Sequence, residues 1–161
     1  MTGVAPRVST VSASDFDFLF GTWTVHNRKI VDNTDPECDE WIEFDAVQDA
    51  RPILNGTGNV DEMRLDDFAG FTLRLWSPDD DVWRIWWSAT NNPGVLDEPV
   101  VGRFVDGVGR FEGVQVIRDA PVVVRFEWTA TDPEAPQWNQ YFSRDGGVTW
   151  THNWTMDFAR V

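Results

Sequence analysis

From Thr22 onward the chain is cut into ten short segments in which apolar and polar side chains alternate, and this period of two constrains the fold most. In the last segment Trp150, His152, Trp154, Met156 and Phe158 fall on one face, and Thr151, Asn153, Thr155 and Asp157 on the other. Successive side chains of a β-strand point to opposite faces, so such a segment reads as a half-buried antiparallel strand. The sets Trp138/Gln140/Phe142, Val122/Val124/Phe126/Trp128 and Trp83/Ile85/Trp87 repeat the pattern. Between segments lie SPDDD, NNPG, DGVG, RDAP, DPEAP and RDGG, which are turn compositions. Only SASDFDFLFG suits a helix: Ser12 or Ser14 as N-cap, Asp15 and Asp17 in the first turn, and Gly21 as the stop. The expectation is an all-β domain, an up-and-down antiparallel barrel of about 8–10 strands preceded by a short helix. A two-sheet sandwich also fits the alternation, but the scarcity of long crossovers favours a sheet closed on itself, which leaves no exposed edges. Residues 1–11 read as a flexible tail and 12–161 as the single barrel domain.

Composition narrows the function. The formal net charge is −14, and the basic residues are scattered singly, which argues against nucleic acid and anionic membrane surfaces. Cys38 is alone, so neither a disulfide framework nor a cysteine metal cluster is expected, and no run is apolar enough for a membrane helix. The first residues lack the basic start and apolar core of a signal peptide, which points to a soluble, cytoplasmic protein. Ten Trp and eleven Phe stand against one Tyr. Such a load fills a core with large rings or lines a cavity with them.

The stretch SRDGGVTW, Ser143 to Trp150, fits the S-x-D-x-G-x-T-W box found repeatedly in sialidases. A propeller needs several blades and several copies, and this chain is too short and holds one. By its own chemistry the motif is a hairpin staple. Ser143 and Asp145 bond nearby amides, Gly146 and Gly147 supply positive φ, and Trp150 packs beside the turn.

In DFDFLFGTWTV, Gly21 and Trp23 form a Gly-x-Trp at the start of the first strand. This resembles the lipocalin and wider calycin pattern, in which the Trp plugs the closed end of a barrel and an Arg near the end of the last strand packs across it. Arg160 is placed for that part. FDFLFGTWTVHNRK and FSRDGGVTWTHNWTMDFAR together are similar to the DUF1579-like bacterial proteins. The resemblance implies a calycin-like barrel with an internal cavity and carries no established reaction.

Strand parity nominates the site. His152, between Trp150 and Trp154, is expected to point inward, either as a hydrogen-bonded core histidine or as a ligand-orienting group or general base. Gln140 on the neighbouring strand faces the same way, giving a His152/Gln140 pair. Trp138, Trp154, Trp128, Trp87 and Trp83 are the expected cavity rings, and Asn27 and Lys29 follow Trp23 and Val25 inward, with His26 facing solvent. In EWIEFDAV the acidic set Glu43 and Asp45 is expected outside. In GNVDEM either Val60 with Glu62 or Asn59 with Asp61 faces inward, and Glu62 is taken as the candidate. Arg103 reads as a surface residue. Trp86, on a polar face, marks a homodimer contact or lies beneath a loop. Three functions follow: a barrel binding an apolar or aromatic small molecule; a cofactor-independent isomerase or cyclase using His152 or Glu62 to move a proton; and a barrel holding haem through His152, although the glycine-rich first strand of haem barrels is missing. No metal site is expected.

Overall fold

The computed structural model describes residues 12–161; the expected tail, 1–11, lies outside the described residues. Ten strands form one closed antiparallel barrel: β1 (Gly21–Ile30), β2 (Trp41–Ile53), β3 (Gly58–Arg64), β4 (Ala69–Ser77), β5 (Val82–Ala89), β6 (Val100–Val105), β7 (Val108–Ile117), β8 (Ala120–Thr129), β9 (Gln137–Ser143) and β10 (Thr151–Arg160). Each strand pairs with the next, and β1 closes the ring on β10, with Trp23 opposite Arg160 and Lys29 opposite Trp154. Closure pairs every strand on both sides, so no edge is left open. No helix among the described residues is long and apolar enough to cross a membrane.

The expected N-terminal helix does not form. Its segment is a run of turns ending in a single 3-10 turn, Asp17–Leu19. The packing explains the change. Side chains three apart eclipse one another in 3-10 geometry, which drops both Phe16 and Leu19 fully buried into one end of the barrel. Phe16 meets Trp83 and Phe104 edge-on, each at 5.0 Å between ring centres.

The first and last strands lock this plug. Trp23 donates its indole N–H to the Leu19 carbonyl at 2.7 Å. The Arg160 guanidinium lies 3.8 Å over the Trp23 ring and also donates to the Phe18 and Phe20 carbonyls. Gly21 is required for this closure: its φ is +109°, and an added Cβ would sit 2.9 Å from an Arg160 guanidinium nitrogen. This end is therefore sealed.

The SRDGGVTW turn is a staple. Asp145 Oδ1 accepts from the Ser143 hydroxyl at 2.8 Å and from the amides of Val148 and Thr149 at 3.1 and 2.9 Å. Its Oδ2 accepts from the Thr149 hydroxyl. These bonds, led by those from Thr149, hold the carboxyl well below its ordinary value, at about 2. The Arg125 guanidinium covers the Trp150 ring at 3.8 Å.

Candidate functional site

Above the plug the barrel encloses a cavity of about 610 Å³. Its mouth lies at the opposite end, where Asn33 and Thr34 of the β1–β2 loop, Phe68 of the β3–β4 loop and Val95 and Asp97 of the β5–β6 loop reach its lining. The strands supply two unlike walls. β8, β9 and β10 present Phe126, Trp128, Trp138, Phe142, Trp154 and Met156; β2, β3 and β4 present Gln48, Asp61, Met63, Thr72 and Arg74. Trp138 contacts Trp154 edge-on at 5.3 Å, and Trp154 in turn contacts Trp87 at 6.3 Å. Trp87 can lie flat against β4 because Gly70 has no side chain. A Cβ there would come within 2.0 Å of the indole.

The polar wall centres on a buried ion pair. An Arg74 Nη2 stands 2.6 Å from Asp61 Oδ2, with both side chains almost wholly buried, and Arg74 Nη1 donates to Asn59 Oδ1 at 3.0 Å. The 2.6 Å contact lacks hydrogen-bond alignment, so Asp61 Oδ2 keeps acceptor capacity; Arg74 Nε and Gln48 Nε2 are buried donors with no partner among the described residues. The guanidinium also rests on the rings of Phe16 and Trp128, at 5.0 and 5.8 Å. Burial pushes the Asp61 carboxyl above the ordinary carboxylate range, and Arg74, helped by a hydrogen bond from Thr72, pulls against it.

At the mouth, Lys29 is the lysine of the chain. Its ammonium lies 5.3 Å over the Trp154 ring, and burial lowers its pKa. The β1–β2 loop arches over this end. Arg118, from the β7–β8 turn, holds it through Asp32 and Thr34, both at 3.0 Å, and Arg144 donates to the Asn33 carbonyl at 3.2 Å.

Several side chains stand where strand parity places them. Gln140, Trp87, Trp128, Trp138 and Trp154 line the cavity. His26 is outside, its imidazole raised by hydrogen bonds to Asp45 at 2.7 Å and Glu43 at 3.3 Å. Arg103 is exposed, and Trp86 faces outward opposite Leu73.

Four expected site residues lie elsewhere. His152 does not point inward: the register shifts between His152 and Trp154, and this bulge turns the imidazole to the outer face. There its Nε2 lies 2.9 Å from Asn139 Oδ1 and 2.8 Å from Thr155 Oγ1, while Tyr141 and Trp41 flank the ring. Burial holds its pKa below the ordinary value. The expected His152/Gln140 pair is replaced by Gln140 donating to Asn153 Oδ1 at 2.9 Å. Glu62 faces outward against Arg64, because β3 turns Asn59, Asp61 and Met63 inward. Trp83 faces inward but belongs to the plug below the cavity, on Phe16 and Trp76. Asn27 is fully buried behind the lining, accepting from the Trp154 indole N–H at 2.9 Å.

Arg74 and Gln48 are the site residues that strand-by-strand parity missed; parity places Lys29 inward and leaves Asp61 as the alternative to Glu62. A signal was present in the two adjacent segments taken together. The register sets Asp61 opposite Thr72 and Asn59 opposite Arg74, so an inward acid on one strand has an inward base diagonal to it on the next.

No family model matches the chain, and no curated protein matches it. Among solved structures it is similar to the S-type phycobiliprotein lyase CPES from Guillardia theta, at 9% identity over 94% of this chain and 93% of that one, with a TM-score of 0.57. This chain has a calycin-like barrel. Membership of the DUF1579-like proteins is not shown by these comparisons.

Proposed function

We propose that this calycin-like barrel binds a small molecule with an apolar or aromatic body, held among Trp87, Trp128, Trp138 and Trp154. The observation that carries the reading is the cavity itself. Its volume, about 610 Å³, sits within the range of roughly 300–1,000 Å³ typical of ligand pockets, and it combines an aromatic wall with a few convergent polar groups. A barrel that only needed a core would fill this space, since interiors pack to crystal-like density. The fold shared with the phycobiliprotein lyase is consistent with the reading and carries neither a substrate nor a reaction to this chain.

The test is native mass spectrometry of the protein as purified, compared with its denatured mass. Extra mass that leaves on denaturation supports the reading and gives the ligand's formula. If extracts of the source cells also add no mass to the apo protein, the cavity is not a binding site for their small molecules. The same spectrum reports whether the chain pairs with a second copy.

A further inference from the structure

The polar wall carries more than the ion pair needs. Gln48, Arg74 and Asp61 are each more than nine-tenths buried, and all three line the cavity. Two of their donors, Gln48 Nε2 and Arg74 Nε, have no partner among the described residues, and Asp61 Oδ2 lies 2.6 Å from Arg74 Nη2 without an aligned hydrogen bond. Buried polar groups are nearly always bonded, and leaving one unmade costs its full desolvation. The side chains that carry these atoms line one cavity, so a ligand there is placed to supply the missing partners. Their chemistry describes the ligand. Two N–H donors call for an acceptor oxygen, and the spare Asp61 lone pair can take an N–H or O–H.

The charges narrow it further. Arg74 and Asp61 carry opposite charges 2.6 Å apart, so the wall offers little net charge to a head group. An anionic head beside Arg74 would also face the Asp61 carboxylate, and a cationic head beside Asp61 would face the guanidinium; either would be desolvated for little return. A neutral group with both an acceptor and a donor meets all three atoms. A primary or cyclic carboxamide has this composition.

Resting on the ligand-binding reading, we infer that Gln48, Arg74 and Asp61 recognise a neutral, amide-like polar head on the ligand, while its aromatic body lies against Trp128 and Trp138. Lys29, near the mouth, is too far up the barrel to belong to this set: on β1 it pairs with Ile42, whereas Gln48 pairs with Trp23.

Three probes of one shape test this by calorimetric titration: 2-naphthamide, 2-naphthoate and 2-methylnaphthalene. Two new hydrogen bonds to buried donors predict that the amide binds about tenfold more tightly than the methyl compound. The naphthoate gains no such advantage. In Gln48→Leu the amide loses most of its preference while the methyl compound binds as before. Gln48 Nε2 has no partner among the described residues for the fold to lose, and Gln48→Met gives a second apolar replacement should Leu not fold. Equal binding of all three probes leaves the ligand-binding barrel standing and overturns the amide-like head. Tightest binding by the naphthoate also overturns it, and loss of that binding in Lys29→Met would place the head at the mouth. If none of the three binds, the ligand-binding reading fails and takes the head-group assignment with it.

Discussion

Replacing Arg74 by Met removes the cation and keeps an unbranched side chain of similar reach against Phe16 and Trp128. It leaves Asp61, 3% exposed, with a carboxylate in the barrel interior and takes a donor from Asn59. Breaking a buried pair in this way costs about 3–5 kcal/mol, a large part of the roughly 5–15 kcal/mol that holds a typical domain folded. The cost must also depend on pH. Burial already raises the Asp61 carboxyl above 3.8, and Arg74 is the main group that opposes it. Without Arg74 the folded-state pKa rises further, while the unfolded value stays put. An acid raised on folding contributes its stability below the unfolded pKa and loses it as pH climbs toward the folded pKa. The slope in that window is about 1.4 kcal/mol per pH unit. Urea denaturation of both proteins at pH 4, 5.5 and 7 reads this directly. Arg74→Met is expected to lie close to the wild type at pH 4 and to fall away by pH 7, and Asp61→Asn added to it recovers most of the loss. A deficit below about 1 kcal/mol, or one constant across the range, would mean that Asp61 is hydrated rather than buried.

Other perturbations act on separate parts of the barrel. Gly70→Ala drives a methyl into the Trp87 indole, which has to swing into the cavity; the expected cost is about 1–3 kcal/mol, with weaker retention of any cavity ligand, read by denaturation and native mass spectrometry. Asp145→Ala removes the acceptor of the SRDGGVTW staple. Its carboxyl is depressed to about 2, so the stability it contributes is full above 3.8 and lost as pH falls through about 2. The melting-temperature gap between wild type and Asp145→Ala should accordingly be constant from pH 5 to 8 and close near pH 2. Arg118→Ala releases the loop over the mouth from Asp32 and Thr34. An exposed pair is worth at most about 1 kcal/mol, so stopped-flow exchange of a bound probe should speed up by no more than about fivefold, less at high salt.

The strands were legible because their outer faces are wet and their inner faces apolar, so ten alternating segments gave ten strands and the right face for β1, β5, β8 and β9. Parity failed where the interior is polar. In β3 and β4 the inward set is Asn59, Asp61, Thr72 and Arg74, while Leu73 and Leu75 stay on the outer face, so hydrophobicity alone points to the wrong side. It failed again at His152, because a bulge adds one residue without changing composition, and everything before it flips. Trp83 shows a third limit: alternation gives the face of a strand and says nothing of height along the barrel, and at its height the space is taken by Phe16. The arch of the β1–β2 loop to Arg118 joins residues 86 positions apart and has no local signature.

The most direct test of the account uses the tryptophans as ten internal reporters. With 15N-labelled protein and saturating 2-methylnaphthalene, the indole N–H signals of Trp87, Trp128, Trp138 and Trp154 should move by NMR. Those of Trp23 and Trp83 in the plug, and of Trp41 and Trp150 outside, should stay in place. Shifts confined to Trp41 and Trp150, or spread evenly over all ten, would put the binding outside the cavity and contradict the central claim.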